Sequence, residues 1–255
     1  MWPSIKHGQP GTSSDTITDE HWRDALSSLR YCQCLDAPTH DRLRAITAEF
    51  LRRKTFEAAA GLRLTDSMCV RIALQACVLI LNLDLDYYEG WQAVIVYPGD
   101  FRVTKEEMDE AGVVHQWRAD LSGEAWEHGP VILSWEAAHQ GSHIVLHEFA
   151  HKIDMRNGRA DGFPPLPAGM LATTWERDFK EGYARFCHSL DHDQPVRIDD
   201  YAAQSPAEFF AVLSEVFFVE PAILHADFPA LYEQLRAFYR QDPLQIVKTY
   251  DSAAR

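Results

Sequence analysis

The amino-acid sequence predicts an α+β protein in which helices come first, a small β-sheet follows, and helices return. Apolar residues recur at helical spacing before residue 90, short β-rich segments lie between residues 91 and 135, and helical spacing resumes after residue 143. The predicted organisation is a flexible lead-in at 1–18, a single domain at 19–248 made of a helical part (19–90) and a second part (91–248), and a tail at 249–255.

The composition is ordinary for a soluble globular protein: of 255 residues, 46% are hydrophobic and 24% charged. The net charge of -14 disfavours nonspecific binding to nucleic acid or anionic membranes, which needs clustered Lys and Arg. No apolar run approaches the ~20 residues of a membrane helix, and no secretory leader is visible. We therefore expect a cytoplasmic protein that makes no direct contact with nucleic acid or membrane. The odd number of cysteines, 5, predicts free thiols.

The helical part contains three predicted helices. The first spans 19–35 and is separated by a break at Ala37–Pro38 from an amphipathic helix at 40–59. The third, at 65–83, begins with a Thr-Asp pair that predicts an N-terminal cap. It is apolar on nearly all sides, so we expect it to be largely buried.

The predicted sheet comes from three short segments rich in β-branched and aromatic residues. They span 91–98, 113–126 and 129–135, and a turn near Ser122–Gly123 interrupts the second. The last of these segments ends shortly before the next predicted helix. The sheet should therefore lie close to that helix.

The rest of the chain is predicted to be mostly helical. A stretch crowded with Gly and Pro, at 155–172, should form an ordered loop or lid. The helices are expected at 143–154, 174–190, 205–221 and 228–243, with the last of these as the final helix.

The segment from His143 to Asp154, HIVLHEFAHKID, carries the densest set of functional side chains. His147 and His151 are four residues apart, about 6 Å along a helix, so both imidazoles project from one face and can bind one Zn²⁺. Glu148 lies about 100° round the helix, where its carboxylate can accept a proton from a water held by the metal. This is the H-E-x-x-H arrangement of zinc metallopeptidases. The alternative is a helix whose histidines bind no metal.

The two ends of this segment are expected to support the site. His143 would lie about 12 Å along the axis from His151, too far to share one tetrahedral ion. We interpret it as a polar residue at the helix N-terminus. Asp154 follows His151 by three residues. It either orients a ligand imidazole or is an ordinary solvated helix residue.

A catalytic zinc needs a third protein ligand. The extended motif that would supply a third histidine is absent, because Asp154 and Asn157 stand where it needs Gly and His. The ligand must therefore come from elsewhere. The downstream candidates are Glu176, Glu181, Glu208 and Glu215.

Glu208 and Glu215 are the stronger candidates, because their helix is apolar on nearly every side and a buried, unpartnered carboxylate is costly. Glu208 has a rival interpretation. It closes a good capping box that begins at Ser205 and has Pro206 in the first turn. Spacing alone does not choose between the two glutamates.

Four stretches resemble the Mlc titration factor A family of bacterial zinc metallopeptidases. They are GPVILSWE, VLHEFAHKIDMRNG, DDYAAQSPAEFFAVLSEVFF and FYRQDPL, they follow the family's order, and they cover much of residues 88–245. The resemblance implies a zincin-like metallopeptidase domain with a small β-sheet, an active-site helix and a helical N-terminal part. That fold is similar to the catalytic domain of anthrax lethal factor.

The resemblance also implies a role for each motif residue. It makes His147 and His151 zinc ligands and Glu148 the general base. It selects Glu208 as the third ligand of one Zn²⁺ per chain. It leaves Glu215 as a residue that supports a ligand.

Tyr201, seven residues before Glu208, also gains a role from the resemblance. In the arrangement similar to lethal factor, a tyrosine at this spacing faces the zinc. Its phenol could stabilise the oxyanion that forms during hydrolysis. The alternative is an aromatic side chain that only packs in a loop.

The sequence and the resemblance support two main functions. The first is a zinc-dependent, aminopeptidase-like enzyme acting on a peptide or protein substrate, which the complete set of ligands and base favours. The second is a regulatory protein that sequesters a transcription factor and holds zinc as a structural element. The resemblance implies binding of a sugar-responsive, Mlc-like repressor and a link to glucose phosphotransferase regulation. A non-peptide zinc hydrolase would use the same site.

Overall fold

The computed structural model describes residues 17–108, 114–126, 128–140 and 142–253. Most of the predicted lead-in at 1–18 lies outside the described residues. Its last two residues belong to the fold, because Ile17 is buried in the core and the Thr18 side chain accepts a hydrogen bond from His21 N at the start of the first helix.

The N-terminal part is helical, as predicted, but its boundaries differ. The first predicted helix is split where the Leu29 backbone becomes extended at φ −142°. The second begins earlier than predicted: the Asp36 side chain caps it, and Pro38 lies in its first turn, where a missing N–H costs no hydrogen bond. The four helices are α1 (Asp19–Ser27), α2 (Arg30–Gln33), α3 (Ala37–Arg53) and α4 (Asp66–Leu79).

The strands form a sheet of four strands and a separate two-stranded hairpin. The larger sheet has the order β1-β2-β6-β5, with β1, β2 and β6 parallel and β5 antiparallel at one edge. The hairpin consists of β3 and β4. The strands are β1 (Thr55–Ala58), β2 (Ala93–Tyr97), β3 (Phe101–Met108), β4 (Val114–Leu121), β5 (Gly123–Ala125) and β6 (Val131–Ser134).

Two differences from the predicted strands are informative. β1 falls where the sequence predicts helix, because the Lys54 ammonium donates to the carbonyls of Tyr88 and Trp91 and the next residues pair with β2. That tertiary pairing outweighs the local helical pattern. β3 is also absent from the prediction. The turn near Ser122–Gly123 separates β4 from β5, as expected.

The C-terminal part is helical. The prediction of a final helix ending near residue 243 is wrong, because one more helix follows and reaches Ala253. Asp242 and Pro243 resemble a stop signal, yet the Asp242 carboxylate accepts a hydrogen bond from Gln245 N and Pro243 begins the new helix. The helices are α5 (Trp135–His139), α6 (Ile144–Asp154), α7 (Ala172–Asp191), α8 (Pro206–Val219), α9 (Pro221–Asp227), α10 (Pro229–Tyr239) and α11 (Pro243–Ala253).

Helix α6 lies in the centre of the molecule, in contact with α4, α8 and β5. Every residue from Val145 to Asp154 is buried. Phe149 anchors it to the helical part, packing edge-on against Phe50, Tyr88 and Trp91 at ring distances of 5.3–5.8 Å. This packing fixes the helix rigidly between the N-terminal helices and α8.

Two further features concern the cysteines and the helices. All five cysteines are free, as predicted. In the described part of the chain, no helix has the length and apolar character that spanning a membrane requires.

Candidate metal centre

Three side chains from α6 and α8 converge on one point. His147 Nε2 and His151 Nε2 lie 2.9 and 3.1 Å from Glu208 Oε2, and the two nitrogens are 3.1 Å apart. His147 and His151 are 6% and 7% exposed. All three donor atoms lie within 4.8 Å of one another, close enough to share one metal ion.

Helix geometry places the donors. The two histidines are one turn apart on α6, with ring centroids separated by 4.7 Å. On α8, Ser205 Oγ accepts a hydrogen bond from the Glu208 N–H at 3.1 Å, so the predicted cap is present. The Glu208 carboxylate bonds to the imidazoles. Its backbone therefore serves the cap while its side chain serves the site.

Glu215 orients one of the imidazoles. Its Oε1 lies 2.7 Å from His147 Nδ1, so the protonated Nδ1 can donate to it and leave the Nε2 lone pair directed at Glu208 and His151. Burial raises the pKa of Glu215, and the hydrogen bond to His147 opposes that rise. Spacing had left Glu208 and Glu215 equal. The geometry separates them, because Glu208 lies between both imidazoles and Glu215 lies behind one.

The donor set fits a divalent cation such as zinc, which binds imidazole nitrogen and carboxylate oxygen. Two Nε2 atoms 3.1 Å apart cannot both present lone pairs without a proton or cation between them. Burial lowers the pKa of His147, but hydrogen bonds to Glu208 and Glu215 outweigh it and raise the pKa to about 10. Burial raises the pKa of Glu208, yet the two imidazoles bring it down to about 2. A cation would take the place of the proton these groups share.

Glu148 lies beside the donors and is 4% exposed. Burial raises its pKa to about 7, against the opposing effect of the His147 and His151 imidazoles. A carboxyl with that pKa exchanges a proton readily near neutrality, as a general base requires.

The edge strand β5 approaches Glu148 at Gly123. A Cβ atom at this position would lie 2.5 Å from Glu148 Oε1 and 2.7 Å from Ile144 Cγ1. Only glycine leaves room for the carboxyl against the strand. The sequence predicts Gly123 only as a turn residue and does not reveal this contact. The one feature of the sequence that could have indicated this contact is a glycine between two predicted strands.

Tyr201 lies in a short 3₁₀ turn, Asp200–Ala203, that precedes α8. Its ring centroid is 5.8 Å from that of His147, and its side chain is partly open to solvent. Burial, followed by the carboxylates of Glu208 and Glu148, raises its pKa to about 12, which keeps the phenol protonated and able to donate. The Tyr201 side chain therefore lies close to the His147 ring.

Asp154 supports the site differently from either expectation. It is fully buried, so it is not a solvated helix residue, and its Oδ2 accepts a hydrogen bond from Gly162 N at 2.7 Å. Neither Asp154 Oδ1 nor His151 Nδ1 has a hydrogen-bond partner within the described ranges. Asp154 therefore holds the loop that follows α6 instead of bonding to an imidazole.

Gly162 connects that loop to two further helices. Its carbonyl accepts a hydrogen bond from Trp175 Nε1 at 3.0 Å, at the start of α7. Its φ is +79°, and a Cβ would lie 2.6 Å from the Pro206 carbonyl oxygen, at the start of α8. The segment at 155–172, predicted as an ordered loop or lid, is anchored at this point to α6, α7 and α8.

The remaining candidates are not among the three converging donors. Glu176 and Glu181 are exposed on α7, where ordinary surface charges are found. His143 is half-buried at the N-terminus of α6, in the left-handed conformation at φ 52°, and its side chain makes no capping hydrogen bond. Burial lowers the pKa of His143.

Comparison with known proteins identifies the family. The family model described as glucose-regulated metallo-peptidase M90 matches residues 6–240. Proteins named Mlc titration factor A from Yersinia pestis (strain Pestoides F) and Yersinia pseudotuberculosis (serotype O:1b, strain IP 31758) are each 36% identical over 240 residues. Each alignment covers 91% of this chain and 88% of the relative. With its zincin-like α+β fold and its converging His147, His151 and Glu208, the chain belongs to the glucose-regulated metallo-peptidase M90 family.

Proposed function

We propose that the protein is a zinc-dependent peptidase that holds one Zn²⁺ with His147, His151 and Glu208. The observation that carries this proposal is the convergence of two imidazole nitrogens and one carboxylate oxygen within 4.8 Å, with Glu148 beside them. Zinc, when bound there, supplies a Lewis acid that acidifies water and polarises a carbonyl. A structural zinc site would close its coordination with a fourth protein ligand. Among the described residues only three donors converge.

The chain's own residues would divide the remaining work. Glu148 takes a proton from the attacking water at its carboxylate and passes it to the leaving amine. The protonated phenol of Tyr201 donates to the oxyanion that develops on the scissile carbonyl. Glu215 keeps His147 in the tautomer that presents Nε2 to the site.

Three finer statements are part of the same proposal. The family resemblance supports aminopeptidase-like action on peptides or on a protein substrate. The free cysteines support a reducing compartment, and we place the protein in the cytoplasm. The statements about substrate and compartment do not alter the chemistry proposed at His147, His151 and Glu208. The choice of zinc over another divalent ion rests on the two-imidazole, one-carboxylate donor set.

A second function is favoured by the names of the relatives. The Yersinia proteins are called titration factors for Mlc. We propose that this chain also binds a Mlc-like repressor, which would link it to glucose phosphotransferase regulation. In the alternative, this binding is the whole function and zinc only stabilises the fold.

Glu148→Gln separates these functions. It removes the base while nearly preserving side-chain shape, so we expect peptide hydrolysis to fall about 10²–10⁴-fold. Zinc content, measured by mass spectrometry, and binding to a Mlc-like repressor, measured by surface plasmon resonance, should stay unchanged. Glu176→Gln, the same substitution on an exposed face of α7, is the matched control. Full activity in Glu148→Gln, or no hydrolysis by zinc-loaded wild type across a broad peptide library, would reject the peptidase proposal.

A further inference from the structure

A cleft of about 670 Å³ borders helix α8 and His147, one of the three converging side chains. Its lining also includes Glu148, Val219 and Glu220. The start of β5 at Gly123 forms a second wall. The cleft is therefore wide enough for more than one residue of an extended peptide, which advances about 3.3 Å per residue.

Helix α8 presents three valines, Val212, Val216 and Val219, to this cleft. Val212 and Val219 follow Glu208 and Glu215 by four residues each, so all four form a row on one face of the helix. Val219 therefore lies about 6 Å beyond Glu215 along the axis. Val216 flanks the same row and is half-buried, as is Val219. The row begins at the donor cluster and leads away from it.

Other elements complete an apolar wall opposite and beside this row. Ile144 lies one turn before His147 on α6, and Val196 and Ile198 come from the segment that precedes the Tyr201 turn. Ile198 is buried, whereas Ile144 and Val196 are half-buried. Covering such partly exposed apolar surface with a ligand removes it from water, which is favourable. A ligand with an aliphatic side chain would gain this energy.

The charges of the cleft select against acidic ligands. Asp199 and Glu220 are exposed at its edge, and Glu148 and Glu215 lie deeper. Arg197 also lines it, but its guanidinium donates to both carboxylate oxygens of Asp227, through Nε to Oδ2 at 3.0 Å and through a second nitrogen to Oδ1. His143, the other basic group of the lining, is half-buried at the N-terminus of α6. A carboxylate on the ligand would be repelled by the exposed carboxylates of Asp199 and Glu220.

We propose that this cleft is a specificity subsite that binds an aliphatic side chain of the peptide next to the scissile bond, and that Val216 and Val219 set the size of that side chain. The substrate class is accordingly peptides with an aliphatic residue at this position and no acidic residue beside it. The proposal rests on the peptidase function proposed above and adds the identity of the preferred side chain.

The test uses zinc-loaded full-length protein and a series of labelled peptides. The peptides carry Ala, Leu, Phe, Asp or Lys at the position next to the scissile bond and are otherwise identical. Hydrolysis is followed as kcat/KM, and binding is measured separately by fluorescence anisotropy. Wild type should prefer Leu to Asp by at least about tenfold in both measurements, because the subsite offers apolar contact and excludes a carboxylate. Equal binding of Leu and Asp peptides would overturn the proposal.

Two substitutions at Val216 test the size limit. Val216→Phe should fill the subsite and reduce the Leu-to-Ala ratio about tenfold, whereas Val216→Ala should enlarge it and shift preference from Leu towards Phe. Val247→Phe is the matched control, because Val247 is also half-buried but lies on α11 outside the cleft lining. Melting temperatures of all three variants report whether they fold.

The outcomes distinguish this proposal from the one it rests on. If Leu peptides bind selectively and Val216 variants change that selectivity, but nothing is hydrolysed, the subsite stands and the peptidase function fails. If hydrolysis occurs and both Val216 variants keep the wild-type ratios within twofold, the peptidase function stands and the subsite assignment is wrong.

Discussion

At the scale of single residues, the candidate site depends on how each converging side chain is held. His147 is fixed from behind by Glu215 at 2.7 Å, whereas His151 Nδ1 has no partner within the described part of the chain. Partners behind metal-binding imidazoles typically account for 10–100-fold in metal affinity. Before any metal binds, the ring of His147 is therefore held more firmly than the ring of His151, because Glu215 bonds to His147.

Glu215→Ala should weaken zinc binding by about 10–100-fold, because it frees the His147 ring. Glu208→Ala should weaken it further, because it removes a donor from between the two imidazoles. Competition with a chelating dye measures both affinities, and Glu181→Ala on the exposed face of α7 is the control. If Glu215→Ala lowers zinc affinity more than Glu208→Ala does, Glu215 is the ligand and Glu208 is the supporting residue.

Gly123→Ala should lower kcat/KM by about tenfold or more while zinc content stays at the wild-type level. The added methyl group would collide with the Glu148 carboxylate and Ile144, and overpacking of this kind costs about 1–3 kcal/mol. Gly99→Ala is the control, since its methyl group would meet only the end of the Glu136 side chain at 3.1 Å. Unchanged kinetics in Gly123→Ala would show that Glu148 needs no fixed position against β5.

The sequence predicted the residues of this site unequally. His147, Glu148 and His151 follow from spacing, because four residues on a helix place two side chains on one face. The choice of Glu208 over Glu215 needed the family resemblance. It depends on how α8 is rotated against α6, and no local pattern encodes that rotation. The contact at Gly123 depends on the approach of β5 to α6, so spacing along the chain does not reveal it.

At the scale of secondary-structure elements, three helices meet at one glycine. Gly162 bonds to Asp154 at the end of α6 and to Trp175 at the start of α7, and it packs against Pro206 at the start of α8. Since α6 and α8 carry the donors, this contact helps to fix the distance between them.

Gly162→Ala should lower the free energy of unfolding by about 1–3 kcal/mol, because its φ of +79° disfavours alanine and its Cβ would lie 2.6 Å from a backbone oxygen that cannot move aside. Gly169→Ala is a matched control in the same loop. Gly169 has φ +96°, but a Cβ added there would meet no atom within 4 Å, so the substitution carries only the conformational cost. Urea unfolding measures both variants. If Gly162→Ala and Gly169→Ala lower the free energy of unfolding equally, the contact with Pro206 is unimportant for stability.

The elements themselves were predictable where local signals agreed. Helices α6 and α8 and strands β2 and β6 appear where periodicity and caps place them. Strand β1 does not, because parallel pairing with β2 and the Lys54 hydrogen bonds outweigh its helical context. Helix α11 was missed because Asp-Pro both stops and starts helices, and the outcome depends on whether the Asp242 carboxylate caps the next turn.

At the scale of the whole molecule, the fold brings together donors separated by 57 and 61 residues. α4 and the aromatic cluster around Phe149 hold α6 in the core. The edge strand β5 lies against Glu148, and α8 supplies the third donor. The net charge of -14 and the carboxylates that line the cleft together favour a cation at the centre. Two strands of the small sheet, β5 and β6, contact the helix that carries the histidines.

The most direct test is a crystal structure of the zinc-incubated protein with anomalous data collected on both sides of the zinc edge. We predict one zinc ion per chain, bound by the Nε2 atoms of His147 and His151 at about 2.0–2.1 Å and by a Glu208 oxygen at about 2.0–2.2 Å. Glu215 should remain bonded to His147 and away from the ion. An anomalous peak elsewhere, no peak at saturating zinc, or Glu215 in place of Glu208 as the ligand would contradict the account.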